Sequence, residues 1–207
     1  MSLMDGYRSA LSASAAVIVV ALVACGGNKP PDPKDYVARL AAERADKDAQ
    51  FMAEDDPVPR SRKGDLLALG YFEIDPEYNV PAALKPIEED LVIQMPTSTG
   101  ALRQMRRAGA LEFSLKGQSM KLTAYADLSD QNLNHLTVMF SDLTSGTETY
   151  PAGRYIDLTL NPQGIYELDF NRAYNPYCYY NESYECPLPP PENRLKVPIR
   201  AGERLKN

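Results

Sequence analysis

An alternation of apolar and polar residues with a period of two constrains the fold of this chain more than any other feature. Apolar residues occupy every second position over 111–115 and again over 120–124, and Gly117-Gln118 is a turn signal between them. Successive side chains of a strand point to opposite faces of a sheet, so this pattern predicts a hairpin with one buried face. Similar runs predict further strands at 136–140, 154–160 and 165–170.

These strands follow one another in antiparallel order, which predicts a mainly β domain of about six to nine strands. An open sheet of that size would leave its edges unprotected, so we expect an antiparallel barrel or a sandwich. An N-terminal α-helix is predicted over 35–55. Asp32 can cap it, Pro33 suits its first turn, and Pro57 prevents its continuation.

The first 25 residues predict a location in the bacterial cell envelope. The apolar run over 15–23 is too short to span a bilayer as a helix, and we interpret 1–24 as a signal peptide. Leu22-Val23-Ala24-Cys25 resembles a lipobox, in which Cys25 receives the lipid and palmitate. The sequence therefore predicts a lipid anchor in the membrane, on the periplasmic face of the outer membrane. A tether over 25–34 precedes a single domain over 35–207.

Charge and histidine content exclude several classes of function. The formal net charge of −6 argues against nucleic acid as a partner, because a net acidic surface gains nothing from meeting phosphates. His135 is the only histidine, which excludes a multi-histidine metal centre, and no dinucleotide or phosphate-binding glycine motif is present. No metal and no cofactor are expected.

Lipidation of Cys25 would leave two cysteines, Cys178 and Cys186, in an oxidising compartment. A disulfide between them is predicted. A two-cysteine metal site is the alternative, but it would need carboxylates for its remaining ligands.

Several motifs resemble the DUF1684 family of uncharacterised bacterial proteins. The longest are LDFNRAYNPYC at 168–178 and CPLPPPENRL at 186–195, followed by IRAGE at 199–203. TSTG at 97–100 and DLTSGTETYPAGRY at 142–155 add to them. The resemblance extends from about Asp46 to the C-terminus, and it implies no activity, substrate or catalytic residue.

The register of the last predicted hairpin brings two carboxylates together. A three-residue loop over 162–164 would set Leu160 opposite Tyr166 and Leu158 opposite Leu168, which places the apolar residues on one face. Asp157 would then lie directly opposite Asp169 on the other face.

Two opposed carboxylates repel each other unless a cation lies between them or one of them keeps a proton. A polar pocket around the pair is one hypothesis, with Asp157 and Asp169 as candidate catalytic residues. The alternative is that this face is simply solvated and the two charges are screened. The candidate ligand-binding residues are Arg154, Asn171, Arg172, Tyr174, Asn175 and Arg194.

The sequence therefore favours an envelope lipoprotein that binds a small polar ligand or an envelope partner. A hydrolase or isomerase that uses the Asp157/Asp169 pair is a second hypothesis. A structural interaction protein is the third, and its mark would be an exposed aromatic patch on the tyrosine-rich loop between the cysteines.

Overall fold

The computed structural model of the chain describes residues 32–130, 135–160 and 165–206, leaving out the side chains of 88–90 and 159. The predicted signal peptide, Cys25, the predicted tether up to residue 31 and the predicted turn at 162–164 lie outside the described residues. Among those described, no helix is long and apolar enough to cross a membrane.

The chain begins with helix α1 and continues into a β domain. Two further helices are short, and 3₁₀ turns connect several strands. The helices are α1 (Pro33–Ala53), α2 (Lys63–Leu66) and α3 (Tyr177–Tyr180). The strands are β1 (Gly70–Tyr71), β2 (Asn79–Pro96), β3 (Leu102–Leu115), β4 (Gln118–Ala126), β5 (His135–Phe140), β6 (Arg154–Thr159), β7 (Tyr166–Asp169) and β8 (Glu203–Arg204).

Six strands form one antiparallel sheet in the order β6-β5-β4-β3-β2-β7, and β1 pairs with β8 separately. The two edge strands of the large sheet meet at a single bridge between Leu160 and Tyr166. The sheet is therefore nearly closed and barrel-like, which confirms the mainly β prediction and decides between the barrel and the sandwich. Side chains from all six strands fill the interior, where Phe170 packs against the rings of Phe113 and Phe140.

The hairpin between β3 and β4 forms as predicted. Leu111 pairs with Leu122 and Phe113 with Met120. The turn lies at Lys116 and Gly117, one residue earlier than the predicted Gly117-Gln118, and both residues have positive φ values of 48° and 79°. Positive φ at both central residues matches the right-handed twist of the flanking strands.

Helix α1 also follows its prediction. The Asp32 carboxylate accepts a hydrogen bond from the Lys34 backbone N–H at 2.9 Å, and the helix ends at Ala53, two residues earlier than expected. Its buried residues are Tyr36, Leu40 and Phe51. The apolar side chain of the neighbouring Met52 is exposed.

The register of the last hairpin holds only at its first pair. Leu160 faces Tyr166 as predicted, but beyond that bridge β6 pairs with β5 and β7 pairs with β2. Immediately after Asp169 the chain turns through Phe170–Arg172, which takes Phe170 into the barrel interior. Leu158 and Leu168 therefore do not pair as predicted, because Leu158 pairs with Leu136 and Leu168 with Val80.

A buried polar side chain of the C-terminal segment, Asn193, binds the segment to the sheet. Asn193 accepts a hydrogen bond from the Thr123 N–H at 2.7 Å and donates to the Thr123 and Met139 carbonyls at 2.8 Å. It therefore bridges β4 and β5, which share only one backbone pair in the described residues.

Gly202 lies close to another part of the backbone. It has a φ of 77°, and a Cβ at this position would lie 2.4 Å from the Ala173 carbonyl oxygen. Only glycine fits so close to another backbone in this conformation.

Candidate functional site

An open groove lies between helix α1 and the loop that carries the two cysteines. Its volume is about 880 Å³. Six carboxylates and two cations line it, an excess of four negative charges, together with four tyrosines. The charged residues are Glu43, Asp46, Glu54, Asp56, Asp157, Glu185, Lys47 and Arg103, and the tyrosines are Tyr155, Tyr174, Tyr177 and Tyr184.

Helix α1 supplies one wall of the groove through a stripe of polar residues. Glu43, Asp46, Gln50 and Glu54 follow one another at intervals of three or four residues, so they lie along one side of the helix. Glu54 and Asp56 sit where their charges oppose the helix dipole. The structure places both carboxylates at the groove.

The opposite wall forms because the chain after β7 returns to the edge of β6. Tyr155 and Tyr174 exchange two backbone hydrogen bonds of 2.9 Å, and their rings meet edge to face at 5.9 Å. This pairing covers the free edge of β6. It also brings the Tyr174 hydroxyl to the Asp157 carboxylate, to which it donates at 2.7 Å.

Asp157 is therefore a groove residue with an exposed carboxylate. It lies opposite Thr137 of β5, whose hydroxyl donates to it at 2.9 Å. Burial, followed by the neighbouring Asp157 charge, raises the pKa of Tyr174, and burial raises that of Tyr155. Both rings thus stay neutral at physiological pH.

Asp169 lies in a different environment. It pairs with Asn79 of β2, and the residue is only 2% exposed because helix α1 covers it. The Tyr36 hydroxyl donates to both of its oxygens at 2.8 and 2.9 Å, the Asn171 N–H donates at 2.9 Å, and the Arg172 Nε lies at 3.3 Å. The predicted opposition of Asp157 and Asp169 is therefore not formed.

The remaining candidate ligand-binding residues divide between the groove and other parts of the fold. Tyr174 lies in the groove, whereas Asn171 and Arg172 line a smaller cavity of about 140 Å³ that shares Glu43, Lys47 and Tyr174 with it.

Two further candidates lie outside the groove lining. Arg194 borders a separate cavity beside Ser141 and the prolines at 189–191. Asn175 is buried, and among the described residues its Oδ1 has no hydrogen-bond partner.

Arg154 is buried and binds the C-terminal segment rather than a ligand. Its guanidinium donates to the carbonyls of Ile199, Ala201 and Glu203, and it forms an ion pair with Asp142 at 2.9 Å. Asp142 in turn accepts from the Thr144 N–H and hydroxyl, at 2.7 and 2.6 Å. The polar run 142–154 thus serves mainly as a structural turn.

Glu203 is a residue that sequence reasoning did not identify. It is buried and accepts hydrogen bonds from Lys47 at 2.6 Å, Tyr180 at 2.6 Å and the Asn175 N–H at 2.7 Å. The Lys47 ammonium also lies 5.2 Å from the ring centroids of both Phe51 and Tyr174. The IRAGE motif ends at this glutamate, which was the available signal.

Cys178 and Cys186 are neighbouring buried thiols in the structure. The Cys178 N–H donates to the Cys186 Sγ at 3.1 Å, and Cys186 also lines the groove. The disulfide between them stays a prediction for the oxidised protein. Within the described ranges, no three histidine, cysteine or acidic side chains cluster in a way that could hold a metal ion.

Comparison with known proteins places the chain in a family. An uncharacterized protein from Haloarcula marismortui, whose structure was solved by solution NMR, is 35% identical in sequence to this chain. The two structures have a TM-score of 0.64, and the match covers 83% of this chain and 95% of that one. No curated protein matches. The family model of DUF1684, described as a protein of unknown function, matches residues 65–204. The chain belongs to the DUF1684 family.

Proposed function

We propose that this protein is a lipid-anchored, extracytoplasmic binding protein whose groove takes a small organic cation such as an amine. One observation carries the proposal, namely the excess of carboxylates over cations in a groove that also presents four tyrosine rings. Carboxylates attract an ammonium group, and a cation gains further by lying over an aromatic face. Anionic ligands would be repelled by the same wall.

Lys47 supports this choice because its ammonium already occupies such a site within the molecule. It contacts the Glu203 carboxylate and lies over the rings of Phe51 and Tyr174. A ligand ammonium beside Asp157 would meet the same combination of one carboxylate and the rings of Tyr155 and Tyr174.

The geometry gives little support to the other two hypotheses. A hydrolase or isomerase that uses Asp157 and Asp169 together would need both carboxylates at one substrate, whereas Asp169 is covered by helix α1. An interaction protein would expose the tyrosines of the cysteine loop. Tyr177 is exposed, but Tyr180 is buried and Tyr179 is half-buried.

Binding of simple probes to the purified full chain tests the ligand class. We expect calorimetry to detect putrescine but neither butanediol nor succinate, which match its length and differ in charge. Asp157→Asn should weaken putrescine binding about tenfold, or about 1.4 kcal/mol, and added salt should weaken it as well. Glu73→Gln, an exposed carboxylate outside the groove, is the matched control and should change nothing. Equal binding of butanediol would refute the proposal.

The lipid anchor has a separate test. Cells that express the full chain should incorporate labelled palmitate into it, and Cys25→Ser should abolish that label and the partitioning into detergent. Labelling that persists in Cys25→Ser would show that the sulfur of Cys25 is not the lipidation site.

A further inference from the structure

The two thiols are held next to each other by independent contacts. Cys178 lies in helix α3, and its N–H donates to Cys186 Sγ at 3.1 Å. Cys186 is fixed from the other side, because its N–H donates to Ser98 Oγ at 3.1 Å and its carbonyl accepts from the Ser98 N–H at 2.8 Å. The sulfurs therefore stay adjacent without a covalent bond between them.

Their contacts also divide the protons unequally. The S–H of Cys186 donates to the Cys178 sulfur, and this hydrogen bond lowers the pKa of Cys178 to about 6 against the opposing effect of burial. The hydroxyls of Ser98 and Tyr150 act in the same direction. The same hydrogen bond raises the pKa of Cys186, so the two sulfurs hold and lose their protons as a coupled pair. The pair therefore loses its first proton more readily than an isolated buried thiol, and the thiolate is the reactive form of cysteine.

The groove gives one of these sulfurs a route to solutes. Cys186 is only 6% exposed, but it lines the groove beside Pro187 and Glu185. A solute that reaches it must pass walls with an excess of four negative charges. Such walls concentrate cations and repel anions.

We propose that Cys178 and Cys186 form a thiol–disulfide exchange site that accepts small cationic disulfides through the groove. The site depends on the two sulfurs and on the charge of the groove. It stands whether or not an amine binds there.

The exchange proceeds in two balanced steps. Cys186 Sγ attacks one sulfur of the small disulfide as the proton that the two cysteines share moves to Cys178 Sγ, and the other half leaves with the bonding electrons and takes a proton from water. Cys178 Sγ then attacks Cys186 Sγ in the mixed disulfide and gives its proton to the second departing thiol. Two electrons move from the cysteines to the small disulfide, so one protein disulfide and two small thiols result.

The test uses the full chain carrying Cys25→Ser, so that the pair supplies its only thiols. The reduced protein is mixed with cystamine or with dithiodipropionate, which are disulfides of similar size and opposite charge. Free thiols are then counted by maleimide labelling. We expect cystamine to react at least about tenfold faster at low salt, and the two rates to converge at high salt.

Three variants define the route. Glu185→Gln at the groove should reduce the preference for cystamine, and Glu73→Gln should not. Cys186→Ala should abolish the reaction in the folded protein. Ultraviolet absorbance should show that the pKa of the Cys178 thiolate rises in the same variant, because its hydrogen-bond donor is gone.

Three results would overturn the proposal. Equal rates for the two disulfides at low salt would show that the groove is not the route. Thiols that react only after unfolding, or a Cys178–Cys186 disulfide that thiols cannot reduce in the folded protein, would identify the pair as a structural crosslink.

Discussion

Asp157 and Asp169 are both on the outer face of the barrel, since their neighbours Ile156 and Leu168 point into the core. The two carboxylates differ in the part of the chain that packs over them. Helix α1 seals Asp169 with the Tyr36 hydroxyl, and Arg172 and Asn171 complete its hydrogen bonds. Asp157 keeps an open side toward the groove. The comparison teaches that a carboxylate becomes structural or available for binding according to the element that packs over it.

Arg154 is a buried charged side chain, like Asp169, and loss of its charge should have the largest effect on stability. Arg154→Met would leave the Asp142 carboxylate buried without its counter-ion and three carbonyls without their donor. Breaking a buried ion pair from one side costs about 3 to 5 kcal/mol of the free energy of unfolding. Urea unfolding monitored by circular dichroism measures this loss.

Arg103→Met is the matched change at the groove, where the arginine is half exposed. Its effect should stay within about 0.5 kcal/mol. Losses of similar size in the two variants would mean that burial does not distinguish the two regions.

Asp169→Asn should have the next largest effect. The amide retains one acceptor oxygen, so it cannot satisfy Tyr36, the Asn171 N–H and the Arg172 guanidinium together. Hydrogen bonds to a charged group contribute about 1.5 to 3 kcal/mol, and we expect a loss in that range by urea unfolding.

Asp157→Asn is the control that sharpens the comparison. Its carboxylate is exposed, so the free energy of unfolding should change by no more than about 0.5 kcal/mol, while the affinity for putrescine falls. If Asp157→Asn destabilised the fold as much as Asp169→Asn, the exposed carboxylate and the buried carboxylate would contribute equally to the stability of the fold.

Local sequence patterns were sufficient to predict the elements whose partners lie within a few residues along the chain. The alternation over 111–124 predicted the β3–β4 hairpin, and Asp32 with Pro33 predicted the start of helix α1. The first pair of the last hairpin, Leu160 with Tyr166, was also predictable because the turn and the apolar pattern set it together. Beyond that pair the strands separate to close the barrel, and no local pattern encodes that separation.

The candidate site was predicted in part. Tyr174 and Asp157 do meet, but the wall that faces them comes from helix α1, more than 100 positions earlier in the chain. The acidic stripe on that helix was visible as a spacing of three and four residues, although nothing in the spacing indicated what it would face.

The sequence by itself determined the strands over 111–124, 136–140, 154–160 and 165–170, the helix and its cap, the chemical types available and the excess of acidic residues. These follow from side-chain periodicity and backbone preferences within a few residues. Only the tertiary structure decided that Asp169 and Arg154 are sealed, that Glu203 anchors Lys47, and that Asp157 and Cys186 line one groove. Those outcomes depend on which distant surfaces pack together, and packing between distant segments removes water from some polar groups and leaves others in contact with it.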